Sequence, residues 1–269
     1  MELPHAVSAT LDTFLGACDE AAPGLVEGLL LHGALGFGEF FAGQSDIDAV
    51  VLLSRRAGPA DLVALEAAHR ATAKAHPAQT LEAVHLLTQD LQRPPAACPD
   101  VPAVHEHVLE AASRFEVNPV TWHELAGHGI TLRGTPHADL GIWTDDAALR
   151  AFTARNLSTY WAAQRDEVTA HPDEASAPWV SAWVVLGVAR LHHLLATGAM
   201  TTKSGAGRYA LDRFDDRWHA VVRDALVVRE QGDRPPPLGD GSDGRRGREV
   251  AAFAAMVVDD GLALPHPPV

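Results

Sequence analysis

The chain has 269 residues, 47% of them hydrophobic, and 35 acidic against 21 basic side chains give it a formal net charge of −14. That length suits two compact cores rather than one, and the acidic balance argues against a protein that binds nucleic-acid backbones. No apolar run reaches the ~20 residues that cross a bilayer, the amino terminus has no basic leader, and Cys18 and Cys98 form no C-x-x-C, so a cytoplasmic protein without membrane or disulfide chemistry is expected.

In chain order, residues 7–22 read as a first helix. The apolar run Leu29-Leu30-Leu31 then enters a flexible turn, His32-Gly33-Ala34-Leu35-Gly36-Phe37-Gly38. Ser45-Asp46-Ile47-Asp48 follows and opens a second apolar strand, Ala49 to Leu53. Side chains repeat every two residues along a strand, so Asp46 and Asp48 leave the same face and can grip one hard cation such as Mg²⁺ against phosphates. Ser-Asp pairs also make turns and cap helices; the glycine turn and the strand that follow each other here favour the metal reading. Ala60 to His76 carries Leu62, Leu65 and Ala68 at helical spacing, with Pro59 suited to a first turn. Beyond it Thr80 to Leu87 is β-competent and holds Glu82. A strand, helix, strand order lets the two strands lie side by side, which would bring Glu82 to the aspartates as a base for an attacking hydroxyl; the plain alternative is a solvent-facing glutamate.

The breaker-rich stretch Gln92 to Pro99 is a natural seam. It divides the chain into a catalytic domain of residues 1–100 and an α-helical domain of residues 101–269, with helices expected at 120–129, 147–165, 179–195, 208–211, 215–230 and 248–258. Residues 231–247, with Pro235-Pro236-Pro237 and a Gly-Asp-Ser run, read as a flexible loop. The fold class is α+β: a mixed-sheet domain followed by an all-α bundle. Arg190, on a helix, and Lys203, past Gly198 and among Thr201, Thr202 and Ser204, are ordinary surface residues by type; their placement near a capped helix start suits an anion.

Other signals carry less. His123-Glu124 and His128 lack the i, i+4 histidine spacing of a zinc protease, and Asp240 to Gly244 lacks the ligand series of a calcium loop. Trp122, Trp161, Trp179 and Trp183 are expected to pack the helical domain.

Gly33-Ala34 through Ser45-Asp46-Ile47-Asp48, followed by a hydrophobic strand, resembles the signature of the nucleotidyltransferase superfamily, in which a G-S pair precedes S-D-x-D. The resemblance extends through the Glu82 strand, Val184 to Leu191, Ala196-Thr197-Gly198 and Thr202-Lys203, and is strongest to the aminoglycoside adenylyltransferases that modify streptomycin and spectinomycin. It implies a nucleotidyltransferase-fold domain with ATP as co-substrate in a cleft shared with the helical domain. It also implies Mg²⁺ on Asp46, Asp48 and Glu82, with Glu82 as catalytic base. Gly33, Ala34, Ser45, Arg190 and Lys203 become the nucleotide contacts, and the acceptor a small hydroxylated, cationic molecule of the aminoglycoside type. Three departures stand out. Ala34 replaces the usual serine, Val227-Val228-Arg229 stands where an aromatic nucleotide contact is usual, and Ala177 to Trp183 lacks the acidic and histidine drug contacts. A nucleotidyltransferase for another small molecule or a protein hydroxyl, and a non-catalytic nucleotide binder, therefore remain as alternatives.

Overall fold

A computed structural model describes residues 3–232, 238 and 244–264, and the chain divides into two compact units, Met1–Asp145 and Asp146–Val269. Residues 233–237 and 239–243 of the expected loop lie outside the described residues.

The first unit is a six-stranded sheet of order β5-β4-β3-β2-β1-β6. Its strands are β1 (Val26–Leu31), β2 (Ile47–Leu53), β3 (Leu81–Leu86), β4 (Val101–His105), β5 (Val108–Ser113) and β6 (Ile130–Arg133). The helices are α1 (His5–Ala21), the single turn α2 (Gly33–Gly36), α3 (Pro59–Ala75), the short α4 (Thr88–Leu91) and α5 (Pro119–His128). The 32–46 connection, which contains α2, returns the chain so that β2 runs antiparallel to β1, whereas the α3 crossover makes β2 and β3 parallel. β1, β2 and β3 are largely apolar because both of their faces are covered. Leu29, Leu31, Ala49, Val51, Leu81 and Ala83 join Phe14 of α1 and Leu65 of α3 in one core. Leu30, Val50, Leu52, Val84 and Leu86 join Trp122 and Leu125 of α5 in the other.

The seam expected at residue 100 is not a boundary. β4 and β5 extend the same sheet through a tight turn in which Glu106 and His107 take positive φ, 48° and 65°, the conformation of a two-residue hairpin turn. β6 then pairs with β1 on the far side. The expectation of few strands after residue 100 is thereby corrected, and the helix expected at 120–129 belongs to the first unit as α5. Trp122 moves with it: fully buried on α5, it packs the first unit rather than the helical one.

The second unit contains α6 (Asp146–Asn156), a π-helical turn (Leu157–Trp161), α7 (Ala162–Ala170), α8 (Pro178–Thr197), α9 (Lys203–Arg213), α10 (His219–Gln231) and α11 (Arg245–Ala263). Pro178 opens α8 where no N–H partner is needed, and Gly198 closes it at φ 76°. By length and composition α8 could cross a bilayer; its Val184, Val185, Leu186, Val188 and Ala189 are instead fully buried in the core of this unit. The helix expected over 147–165 is interrupted by the π turn, which brings Trp161 against α8 at Gly187: a Cβ there would stand 2.2 Å from the indole. Trp179 is 65% exposed and does not join the core.

Candidate active site

The register of the sheet sets out the site. Leu30, Val50, Val84 and Ala103 face one another across β1, β2, β3 and β4, forming an apolar rung on the face that α5 covers. One side-chain period further along every strand, the next rung is polar. Asp48 pairs directly with Glu82; His32, whose N–H donates to the Asp48 carbonyl at 3.1 Å, extends the rung beyond β1; and His105 on β4 brings Nε2 to 3.6 Å from Glu82 Oε1. Neighbours on a rung lie on the same face within side-chain reach. Four segments distant in sequence thus contribute a histidine, two carboxylates and a second histidine to one line. Asp46, one period before Asp48, precedes β2 and is exposed.

The electrostatics of this rung are those of an unneutralised acidic set. Burial, followed by Asp46 and Asp48, pushes Glu82 up to about 8, against the pull of the Glu106 N–H that it accepts. Burial likewise pushes Asp48 up to about 7; His32 pulls down, and Glu116, Glu124 and Asp46 push up. Burial pulls His32 down, yet its hydrogen bond to Glu124 and the surrounding carboxylates carry it to about 9. Carboxylates crowded this way favour a cation among them. Among the described residues, no three acidic, histidine or cysteine side chains stand close enough to enclose an ion by themselves. An open carboxylate pair fits Mg²⁺, which takes one or two carboxylates and completes its shell with water and substrate phosphates.

The glycine turn meets the rung at one point. Gly33 has φ +56°, and a Cβ built on it would lie 2.0 Å from Asp48 Oδ2, so only glycine lets the turn approach this carboxylate. Its N–H donates to Glu124 Oε2 at 3.1 Å. In this structure the Gly33 amide is therefore engaged within the protein. Ser45, buried beside the aspartates, accepts the Phe41 N–H at 3.1 Å and closes the turn that delivers Asp46.

Arg190 is half-buried on α8 and is in no ion pair among the described residues. Lys203 is the first residue of α9, behind Thr202, whose hydroxyl accepts the Gly205 N–H at 2.8 Å and caps the helix. Both belong to the second unit, and Asp48 and Glu82 to the first. Sequence reasoning missed Glu124 and His105. In the sequence Glu124 stands only in a stretch without zinc-protease spacing, and nothing local to His105 marks it.

Residues 152–258 match the family described as the aminoglycoside adenylyltransferase C-terminal domain. Among solved structures, an Enterococcus spectinomycin adenyltransferase, AAD(9), determined with ATP and spectinomycin, superposes with a TM-score of 0.66 at 11% identity, covering 93% of this chain and 98% of its own. That likeness establishes the fold, α+β with a mixed sheet. No curated protein matches in sequence.

Proposed function

We propose that this chain, whose residues 152–258 match the aminoglycoside adenylyltransferase C-terminal domain and whose fold is that of a spectinomycin adenyltransferase, transfers AMP from ATP to a hydroxyl of an aminoglycoside-type antibiotic in an Mg²⁺-dependent reaction. The observation that carries the reading is the polar rung, in which Asp48 and Glu82 stand in register beside a glycine turn that touches Asp48. Asp46, Asp48 and Glu82 would hold the ion, which when bound would neutralise charge on the phosphates.

The protein's own groups do the rest. Glu82 takes the proton of the acceptor hydroxyl as general base. The hydroxyl oxygen forms its bond to the α-phosphorus while the bond to pyrophosphate breaks. Arg190 and Lys203 hold the outer phosphates through charge-assisted hydrogen bonds, and the Ala34 amide and Ser45 serve the turn side of the nucleotide. The acidic chain favours a cationic acceptor by steering, and ATP places the reaction in the cytoplasm.

The test is to incubate the chain with ATP, Mg²⁺ and a panel of aminoglycosides and aminocyclitols, and to follow acceptor mass. Addition of one AMP, with pyrophosphate release, is expected. ATP binding without adduct or pyrophosphate for any acceptor would leave a non-catalytic nucleotide binder, the reading favoured by Ala34.

A further inference from the structure

Glu124 is 6% exposed, and a buried carboxylate off the reaction path is costly unless its hydrogen bonds repay the desolvation. Its Oε2 is used twice, accepting from His32 Nδ1 at 3.0 Å and from the Gly33 N–H at 3.1 Å. These two residues are the joint between β1 and the glycine turn, and both bear on Asp48. His32 is hydrogen-bonded to the Asp48 backbone, and Gly33 forms the floor beneath the Asp48 carboxylate. A second observation points the same way. His32 Nε2 is buried and has no hydrogen-bond partner, so Glu124 alone among the described residues fixes the ring beside Asp48.

The helix that carries Glu124 is itself braced. Asn118 caps α5 by accepting from Val120 and Thr121 N–H, the Thr121 hydroxyl donates to Glu116, and the His128 ring lies 4.1 Å from that of Phe37 in the glycine-turn segment. A shift of Glu124 therefore moves the turn, and a shift of the turn moves Asp48.

We propose that Glu124 is a positioning residue of the metal grip: by clamping His32 and Gly33 with one oxygen, α5 holds the Asp48 carboxylate in the orientation that receives the cation. This rests on the reading of Asp48 as a metal ligand. It assigns a role to the clamp that the missing serine at position 34 cannot share, since Ala34 offers no side-chain hydrogen bond to steady the turn.

The experiment titrates Mn²⁺ into the nucleotide-free full chain and reads free ion by electron paramagnetic resonance, with thermal unfolding as a check on folding. Glu124→Asp keeps the charge but withdraws the oxygen by one methylene; a loss of 10–100-fold in Mn²⁺ affinity is expected, the usual effect of removing an outer hydrogen-bond partner. Glu124→Gln keeps an oxygen that can accept twice, and should restore affinity to within about threefold of the parent. A folded Glu124→Asp variant with parental Mn²⁺ affinity overturns the proposal, and so does a Glu124→Gln variant as weak as Glu124→Asp, which would make charge rather than the clamp responsible. Asp48→Asn separates the two levels. If it abolishes Mn²⁺ binding while Glu124→Asp does not, only the clamp fails; if Mn²⁺ binding survives Asp48→Asn, the metal reading fails and the clamp with it.

Discussion

One polar cluster in each unit buries charge in the opposite way to the other. In the second, Arg246 and Asp224 are both fully buried and satisfied by each other: Arg246 Nε donates to Asp224 Oδ2 at 2.9 Å, Ser181 donates to the same oxygen, and Arg246 Nη1 reaches the Ser176 carbonyl at 2.8 Å. His192, also fully buried, is held between Tyr209 and Asp260. In the first unit the polar rung gathers Asp48 and Glu82 with Asp46, Glu116 and Glu124 nearby, and His32 is the cation placed among them. Opposite charges with full hydrogen bonding hold a fold together, whereas like charges left facing one another at the end of a sheet weaken it and serve a ligand. The contrast singles out the polar rung as the proposed site without reference to any motif.

The sharpest way to break this contrast is Asp48→Asn. Loss of transfer activity with intact thermal unfolding is expected, because one charge fewer in a two-carboxylate grip forfeits the ion; unchanged turnover would show that the crowding has no catalytic meaning. Glu82→Gln comes next, with a loss of ~10² to 10⁴ in rate. The same substitution should stabilise the metal-free fold at high pH. Because Glu82 is raised in the folded state, its favourable contribution is fully present below the usual carboxylate range and is lost as pH rises through about 8. Relative to the parent, the Gln variant should therefore gain progressively between about pH 4.5 and 8, reaching ~2 kcal/mol after allowance for solvent screening. Denaturant melts at several pH values without metal would show it, and a pH-independent difference would contradict it.

The opposite half of the comparison is tested by Arg246→Met, which strands Asp224 in the core. A stability loss of ~3 to 5 kcal/mol is expected by denaturant unfolding, and a loss below ~1 kcal/mol would mean the pair contributes little.

These charge patterns were unequally visible in the sequence. Asp46, Asp48 and Glu82 were legible because alternation along a strand fixes the face of a side chain, and the strand, helix, strand order permitted the pairing that β2 and β3 show. The helices α8, α10 and α11 were legible from their apolar periodicity. β5 was not, since Val108-Leu109-Glu110-Ala111-Ala112-Ser113 has little buried surface and no alternation, and β6 has only four residues. Trp122 was assigned to the wrong unit for the same reason: without those strands, α5 looked like the first helix of a bundle. Glu124 could not be found at all, because its partner His32 is 92 positions away and no local pattern records a tertiary hydrogen bond.

Smaller effects sharpen the comparison at the nucleotide. Lys203→Ala and Arg190→Ala should each weaken ATP by ~1.5 to 3 kcal/mol and AMP by less, as measured by titration calorimetry; equal weakening of both nucleotides would place these cations away from the outer phosphates. Ala34→Ser should tighten ATP by about 0.5 to 1.5 kcal/mol through a restored hydroxyl donor. No gain would mean that the turn holds the triphosphate by its backbone alone.

β2 and β3 are interior strands of the six, with β4 and β5 on one side and β1 and β6 on the other. Backbone amides in such a position exchange with solvent deuterium only when much of the surrounding structure opens, whereas edge strands exchange through local fraying. Residues 48–52 and 82–86 should therefore share one slow exchange rate set by the opening of the whole first unit, with the amides of β5 and β6 exchanging earlier. Asp48 and Glu82, the carboxylates of the proposed site, then keep their spacing for as long as the unit stays folded, through every partial opening that leaves the centre of the sheet intact.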